Sequence, residues 1–108
     1  MRILAGFPPG GNVDLLARIF AERLTEQLGR PVIVLNKPGA GGQIAAELLK
    51  ESPPDGDTLL MTPDAALVAR PLTMTKPPYD ALTDFAAVAQ TGAQDYAFAI
   101  GMQLPAKT

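Results

Sequence analysis

Two glycine-rich loops, each between an apolar segment and a helical pattern, constrain the fold of this chain more than any other feature. In the first, Pro8-Pro9-Gly10-Gly11 separates apolar residues 2–7 from a helical pattern over residues 13–28. In the second, Pro38-Gly39-Ala40-Gly41-Gly42 separates apolar residues 31–35 from a helical pattern over residues 43–50. Short apolar runs that end in Pro and Gly are typical of buried strands. The sequence therefore predicts two successive strand–loop–helix units.

A third apolar segment extends this order. Residues 58–61 follow a turn-forming cluster at 52–56, which gives a β-α-β-α-β sequence with short loops. Such alternation predicts an α/β fold of three layers, in which a mainly parallel sheet carries helices on both faces. At 108 residues the chain is expected to form a single domain over residues 1–108.

The first helix has the clearest sequence pattern. Asn12 is the predicted N-cap, and Gly29, followed by Pro31, is predicted to end the helix. A series of large apolar residues at four-residue spacing predicts its buried face, with two more beside it. These residues are Leu16, Phe20, Leu24 and Leu28, flanked by Leu15 and Ile19.

After the third strand the pattern is weaker. A short helix is expected over residues 65–72, with Pro63 near its start, and a loop over residues 77–80. Residues 85–90 and 96–100 are apolar runs of strand length.

Composition excludes several kinds of function. The chain has no histidine and no cysteine, so it cannot build a Ser–His triad, a thiol nucleophile or a typical zinc site. A net charge of −2 without any run of Lys or Arg argues against nucleic acid as a partner. No cofactor or metal is expected. The first strand begins next to Met1, which leaves a cytoplasmic chain and a removed leader as alternatives.

The two loops together favour binding of a small anion. Glycines permit positive φ and close approach of a ligand, and a helix N-terminus offers unpaired N–H groups and a positive dipole end. Parallel strands place both loops at one edge of the sheet, where ligands of open α/β sheets bind. The alternative is that the glycines only make tight turns. A dinucleotide site is disfavoured, because Ile44 stands where its third glycine belongs.

Three polar side chains are candidates for roles near the loops. Asp14 could bind ligand, hydrogen-bond the loop before it, or simply favour the first turn of its helix. Asn36, at the end of the second strand, could hold the glycine loop there through its side-chain amide or make a strand-end turn. Asp64, after the third strand, is a candidate ligand contact.

An ordered series of motifs resembles one known family. The motifs are Phe7-Pro8-Pro9-Gly10-Gly11-Asn12-Val13-Asp14, Asn36-Lys37-Pro38-Gly39-Ala40-Gly41-Gly42, Pro54-Asp55-Gly56-Asp57-Thr58 and Pro78-Tyr79-Asp80. On these residues the chain resembles the substrate receptors of tripartite tricarboxylate transporters, the Bug or TctC proteins. The resemblance spans essentially the whole chain.

The resemblance implies a periplasmic solute-binding protein that has two α/β lobes and binds a small carboxylate between them for membrane transporter subunits. The chain would form most of the first lobe, a periplasmic-binding-protein-like lobe without catalytic activity. The two loops would hold a ligand carboxylate. Carried over by position, the binding residues are Pro9, Gly10, Gly11 and Asn12, then Ala40, Gly41, Gly42 and Gln43.

Two acidic residues depart from the family pattern. Asp57 replaces its usual tyrosine, and Asp64 follows a strand after which the family carries small hydroxyl residues. Asp64 would repel a carboxylate or select a ligand with a cationic amine. Two other functions remain as alternatives: a truncated, self-associating homo-oligomer without ligand binding, and, least favoured, an enzyme that uses Asp64 or Asp14.

Overall fold

The computed structural model of this protein describes residues 1–93, which contain a three-stranded parallel sheet. The strands are β1 (Arg2–Ala5), β2 (Ile33–Asn36) and β3 (Thr58–Met61), in the order β2-β1-β3. In this register Ile3 of the central strand lies opposite Val34 on one side and Leu59 on the other. The predicted β-α-β-α-β order and its parallel sheet are confirmed.

Helices α1 (Asn12–Leu28) and α2 (Gln43–Lys50) cover opposite faces of the sheet. Ile3 and Ala5 of β1 pack against Ala17 and Ala21 of α1 in the core. Because side chains alternate along a strand, the fully buried Leu4 points to the other face. There α2 contacts β1 and β3, and its Ala45 and Ala46 are also fully buried. The three layers predicted from the sequence are therefore present.

The predicted buried face of α1 is only partly correct: Leu16 and Leu24 are half-buried, and Leu24 packs against the core, but the other large residues are not buried. Among the large apolar residues assigned to it, Leu15 is 60% exposed, and Ile19, Phe20 and Leu28 are also exposed. The buried positions are instead Asp14, Ala17 and Ala21. Alanine lets a helix backbone lie close to a sheet, and a ranking by side-chain hydrophobicity does not register that advantage. The inward face is consequently rotated toward the small residues.

The end of α1 lies where the sequence predicted it, but the N-cap does not. Gly29 ends the helix as predicted, with a left-handed φ of 63° and its N–H bonded to the Thr25 carbonyl at 3.1 Å. The prediction of Asn12 as N-cap is wrong, because Gly11 occupies the cap in an extended conformation and Asn12 is already helical. The Gly11 carbonyl accepts the first helical hydrogen bond, from the Leu15 N–H at 2.9 Å.

The helical segment after β3 is divided into α3 (Asp64–Leu67) and α4 (Ala69–Leu72), where one helix over residues 65–72 was expected. Pro71 explains the break. It has no N–H to donate to the Leu67 carbonyl, and its ring would clash with that carbonyl in a continuous helix.

A loop after α4 returns to the body of the domain through Tyr79. Its ring is buried and lies edge-on to the ring of Phe85, with 5.4 Å between the two ring centroids. Its hydroxyl donates a hydrogen bond to the Ala66 carbonyl. Lys50 of α2 reinforces the attachment by donating to the Pro78 carbonyl at 3.0 Å and pairing with Asp84 at 2.8 Å. The loop is thereby joined to both α2 and α3.

Residues 85–90 do not form a strand, although they are an apolar run of strand length. Phe85 packs on Tyr79, and the rest of the run is exposed and lies in no sheet ladder. The other run of this kind, at 96–100, lies outside the described residues. None of the helices within residues 1–93 combines the length and the apolarity needed to cross a bilayer.

Candidate functional site

The carboxyl ends of the strands open onto a cleft of about 620 Å³. Four of the predicted site residues line it: Pro9, Gly11 and Asn12 from the first loop, and Gly41 from the second. The segment that follows β3 supplies a third wall through Pro63, Ala65, Ala66 and Arg70. The remaining predicted residues lie beside the cleft without lining it; these are Gly10, Asp14, Ala40, Gly42, Gln43 and Asp64.

Asp14 holds the first loop in shape. Its side chain is buried, and its carboxylate accepts hydrogen bonds from the Gly10 N–H at 2.9 Å, the Asn36 amide at 2.9 Å and the Arg18 Nε at 3.0 Å. These bonds, led by the one from Arg18, lower the pKa of Asp14 from 3.8 to about 2. The hypothesis that Asp14 hydrogen-bonds the preceding loop is confirmed, and its oxygens are engaged there rather than in the cleft.

Asn36 connects the first loop to the end of β2. Its Nδ2 group donates both to the Asp14 carboxylate and to the Phe7 carbonyl, the latter at 3.1 Å. The interpretation of Asn36 as a residue that holds a loop through its side-chain amide is confirmed, but the loop is the first one. Asn36 also begins the segment that leads into the second loop.

The second loop has an uncommon backbone. Four successive residues adopt positive φ: Gly39 at 133°, Ala40 at 48°, Gly41 at 63° and Gly42 at 94°. Ala40 is the one residue with a side chain among residues 1–93 that adopts such a conformation. The bond from the Gly42 N–H to the Gly39 carbonyl, 3.0 Å long, closes the turn. The positive φ angles of this loop therefore favour glycine, in addition to any limit that neighbouring atoms set on side chains.

Gly42 lies where the second loop packs against the segment that follows β3. A Cβ atom at this position would lie 2.9 Å from the Ala66 Cβ, 3.1 Å from the Thr62 Oγ1 and 3.4 Å from the Phe7 ring. At Gly41 the surroundings are more open, and a Cβ would meet only the Arg70 side chain, at 3.4 Å and beyond. Gly42 therefore serves packing, while Gly41 faces the cleft.

Both long helices begin beside these loops without a side-chain cap from residues 1–93. In α2 the Gln43 N–H bonds back to the Ala40 carbonyl. First-turn N–H groups that lack an internal acceptor can bind an external anion, which the helix dipole also favours.

Arg70 is the site residue that the sequence-based prediction missed. It is half-buried, its Nε donates to the Gln43 Oε1 at 3.3 Å, and it is the one charged residue that lines the cleft within the described part of the chain. A signal was present, because the predicted helix over residues 65–72 follows a strand whose end lies at the loop edge. Asp64, by contrast, is exposed, and its carboxylate accepts the Ala65 N–H at 2.8 Å.

A family model described as "Tripartite tricarboxylate transporter family receptor", TctC, matches residues 16–108. The chain belongs to the TctC receptor family. Among TctC relatives, a UPF0065 protein of Bordetella bronchiseptica is 42% identical over 101 residues, which are 94% of this chain and 30% of that protein. BugT of Bordetella pertussis is 40% identical over 93 residues, which are 85% and 28%.

Two solved structures of similar fold are related to this chain in sequence as well. MatC from Rhodopseudomonas palustris, with bound malate, is 30% identical with a TM-score of 0.73, over 79% of this chain and 29% of that one. A second protein from that organism, solved with adipate, is 31% identical with a TM-score of 0.71, over 77% and 28%. This chain spans about 30% of the length of the curated TctC relatives that it matches.

Proposed function

We propose that this chain binds a small organic carboxylate in the cleft between its two glycine loops, as part of a receptor for tripartite tricarboxylate transport. The observation that carries the proposal is the convergence of both loops, with two helix N-termini that no side chain of residues 1–93 caps, on one cleft. Family membership and the malate and adipate bound by two structural relatives support it.

In this proposal the backbone recognises the carboxylate. Exposed Gly10, Gly11 and Gly41 let the ligand approach the main chain, and the first turns of α1 and α2 supply N–H donors with the positive ends of two dipoles. Gly42 and Asp14 act indirectly, because they set the shape of the loops.

The role would be capture and delivery without catalysis. The sequence has no histidine or cysteine, and the Asp14 carboxylate is already engaged by three donors. In a tripartite system the loaded receptor would present its ligand to the membrane subunits from the periplasm. The name of one structural relative, a periplasmic transporter with a TM-score of 0.69, agrees with that location.

Amide NMR titration with glutamate, succinate, citrate and nicotinate tests the proposal, and glutamate also tests the effect of Asp64. We expect saturable shifts at Gly10, Gly11 and Gly41 with at least one ligand. Gly41→Val should abolish them, because a β-branched side chain would fill the mouth of the cleft. Gly56→Val is the matched control, since Gly56 also has a left-handed φ, 80°, but lies in an open turn. Unchanged affinity in Gly41→Val would remove this loop from the site.

Self-association is a second candidate property, favoured by the exposed apolar side chains. Leu15 and Ile19 lie one turn apart on α1 and are 60% and 47% exposed, and Leu82 is 92% exposed. Apolar surface of this kind favours contact with a second copy of the chain. We expect a dimer or larger oligomer by light scattering, and a shift toward monomer in Leu15→Glu but not in Leu15→Met. A monomeric mass at every concentration would contradict this candidate.

A further inference from the structure

We propose that Arg70 is the specificity-determining residue of the cleft, and that it selects a ligand with an anionic end and an apolar body. The inference rests on the proposed function, because it assumes that the cleft is where the ligand binds. It adds a side-chain ion pair to recognition by the loop backbone.

The Arg70 side chain lies against the second loop at the mouth of the cleft. A Cβ atom on Gly41 would be 3.4 Å from the Arg70 Cδ and 3.6 Å from its Nη1, so the Arg70 side chain lies within contact range of this position of the loop. Within residues 1–93, no carboxylate lies within ion-pair distance of Arg70. A half-buried guanidinium without an acidic partner favours the arrival of an anion.

Two successive hydrogen bonds involving side chains of α2 orient this guanidinium. The Gln43 Oε1 accepts the Arg70 Nε–H at 3.3 Å, and the Gln43 Nε2 donates to the Glu47 Oε1 at 2.7 Å. With Nε engaged, the two terminal nitrogens of Arg70, which donate to no other group within residues 1–93, remain for a ligand. Their planar arrangement matches the two oxygens of a carboxylate. Gln43 would therefore act through Arg70, as a positioning residue, rather than on the ligand itself.

The rest of the cleft wall is mostly apolar. Phe7, Pro9 and Val13 line one side, and Pro63 and Ala66 line another. Acidic side chains are absent from this lining in the described part of the chain. One cation beside apolar walls fits a carboxylate on a hydrocarbon chain or ring better than a small, heavily hydroxylated acid.

Adipate and malate are suitable probes, since they differ in methylene content and in a hydroxyl group. We expect adipate to bind at least about fivefold more tightly than malate, because its additional methylene groups are removed from water against the apolar walls of the cleft. Arg70→Gln should weaken the binding of adipate about tenfold or more, as expected for the loss of a hydrogen bond to a charged group. The matched control is Arg23→Gln, since Arg23 is an exposed arginine on α1 outside the cleft lining and should leave the affinity unchanged.

The Nε–H of Arg70 belongs to the same guanidinium as the terminal nitrogens that would bind the ligand, and its resonance should shift with adipate in the unmodified protein. If Arg70→Gln does not fold, Arg70→Lys is the second variant. It keeps the positive charge but loses the planar pair of nitrogen donors, and it should weaken adipate binding severalfold.

Equal adipate affinity in Arg70→Gln and the unmodified protein would overturn the role of Arg70 while the proposed function stands. An Nε–H signal that does not move would do the same. Malate binding as tight as adipate would overturn the apolar body. No saturable shift with any carboxylate would overturn the proposed function, and this inference with it.

Discussion

Gly42→Ala is expected to lower the free energy of unfolding by about 2–5 kcal/mol. Two effects add at this position. A side chain at a φ of 94° is strained by about 1–2 kcal/mol. The new Cβ would also lie 2.9 Å from the Ala66 Cβ, and overpacking of a well-packed contact costs about 1–3 kcal/mol. Ala66 cannot move away easily, because it lies on a helix and its own carbonyl accepts a hydrogen bond from the Tyr79 hydroxyl.

Urea unfolding followed by circular dichroism measures this loss, and Gly56→Ala separates its two components. Gly56 has a similar φ of 80°, but nothing lies within 4 Å of a Cβ placed on it. The control should therefore show only the conformational strain. If the two variants lose equal stability, the expected overpacking of the new Cβ against Ala66 is absent.

Asp14→Asn is expected to destabilise the protein and to remove part of its acid sensitivity. An asparagine supplies one acceptor oxygen where three donors now converge, and its own NH₂ group would face one of them. Because the pKa of Asp14 falls from 3.8 to about 2 on folding, its charge stabilises the folded protein above about pH 4. That contribution is lost progressively as pH falls toward 2.

Thermal unfolding between pH 7 and pH 2 tests this sign. The difference in melting temperature between the unmodified protein and Asp14→Asn should be largest near neutral pH and should shrink in acid. Amide hydrogen exchange at Gly10 should also be faster in the variant, since its acceptor is lost. Glu22→Gln, an exposed change on the same helix, is the control for charge alone. A difference that is constant with pH would contradict the assignment.

Local sequence signals predicted most of the elements, although they missed the N-cap at Gly11 and the helix break that Pro71 causes. The three strands, the left-handed end of α1 at Gly29 and the two glycine loops all depend on neighbours in the sequence. The buried face of α1 does not. It depends on how closely the helix approaches the sheet, and Ala17 and Ala21 permit an approach that Leu16 and Phe20 would prevent.

The sequence predicted that both loops lie at the candidate cleft, but not that a charged side chain lines it. Pro9, Gly11, Asn12 and Gly41 line the cleft because the sheet edge brings both loops together. Arg70 lines it from α4, and Gln43 of another helix holds its guanidinium. Contacts between residues 27 positions apart leave no local pattern in a sequence.

The hydrogen bonds of Asn36 would also affect the entropy of the proposed carboxylate binding. A loop that orders only when its ligand arrives subtracts that ordering from the affinity. Here one amide group joins the end of β2 to the Phe7 carbonyl and to the carboxylate that holds Gly10, so the first loop is ordered when the chain folds. Differences in affinity among carboxylates should then reflect their own size and charge, with little contribution from rearrangement of the first loop.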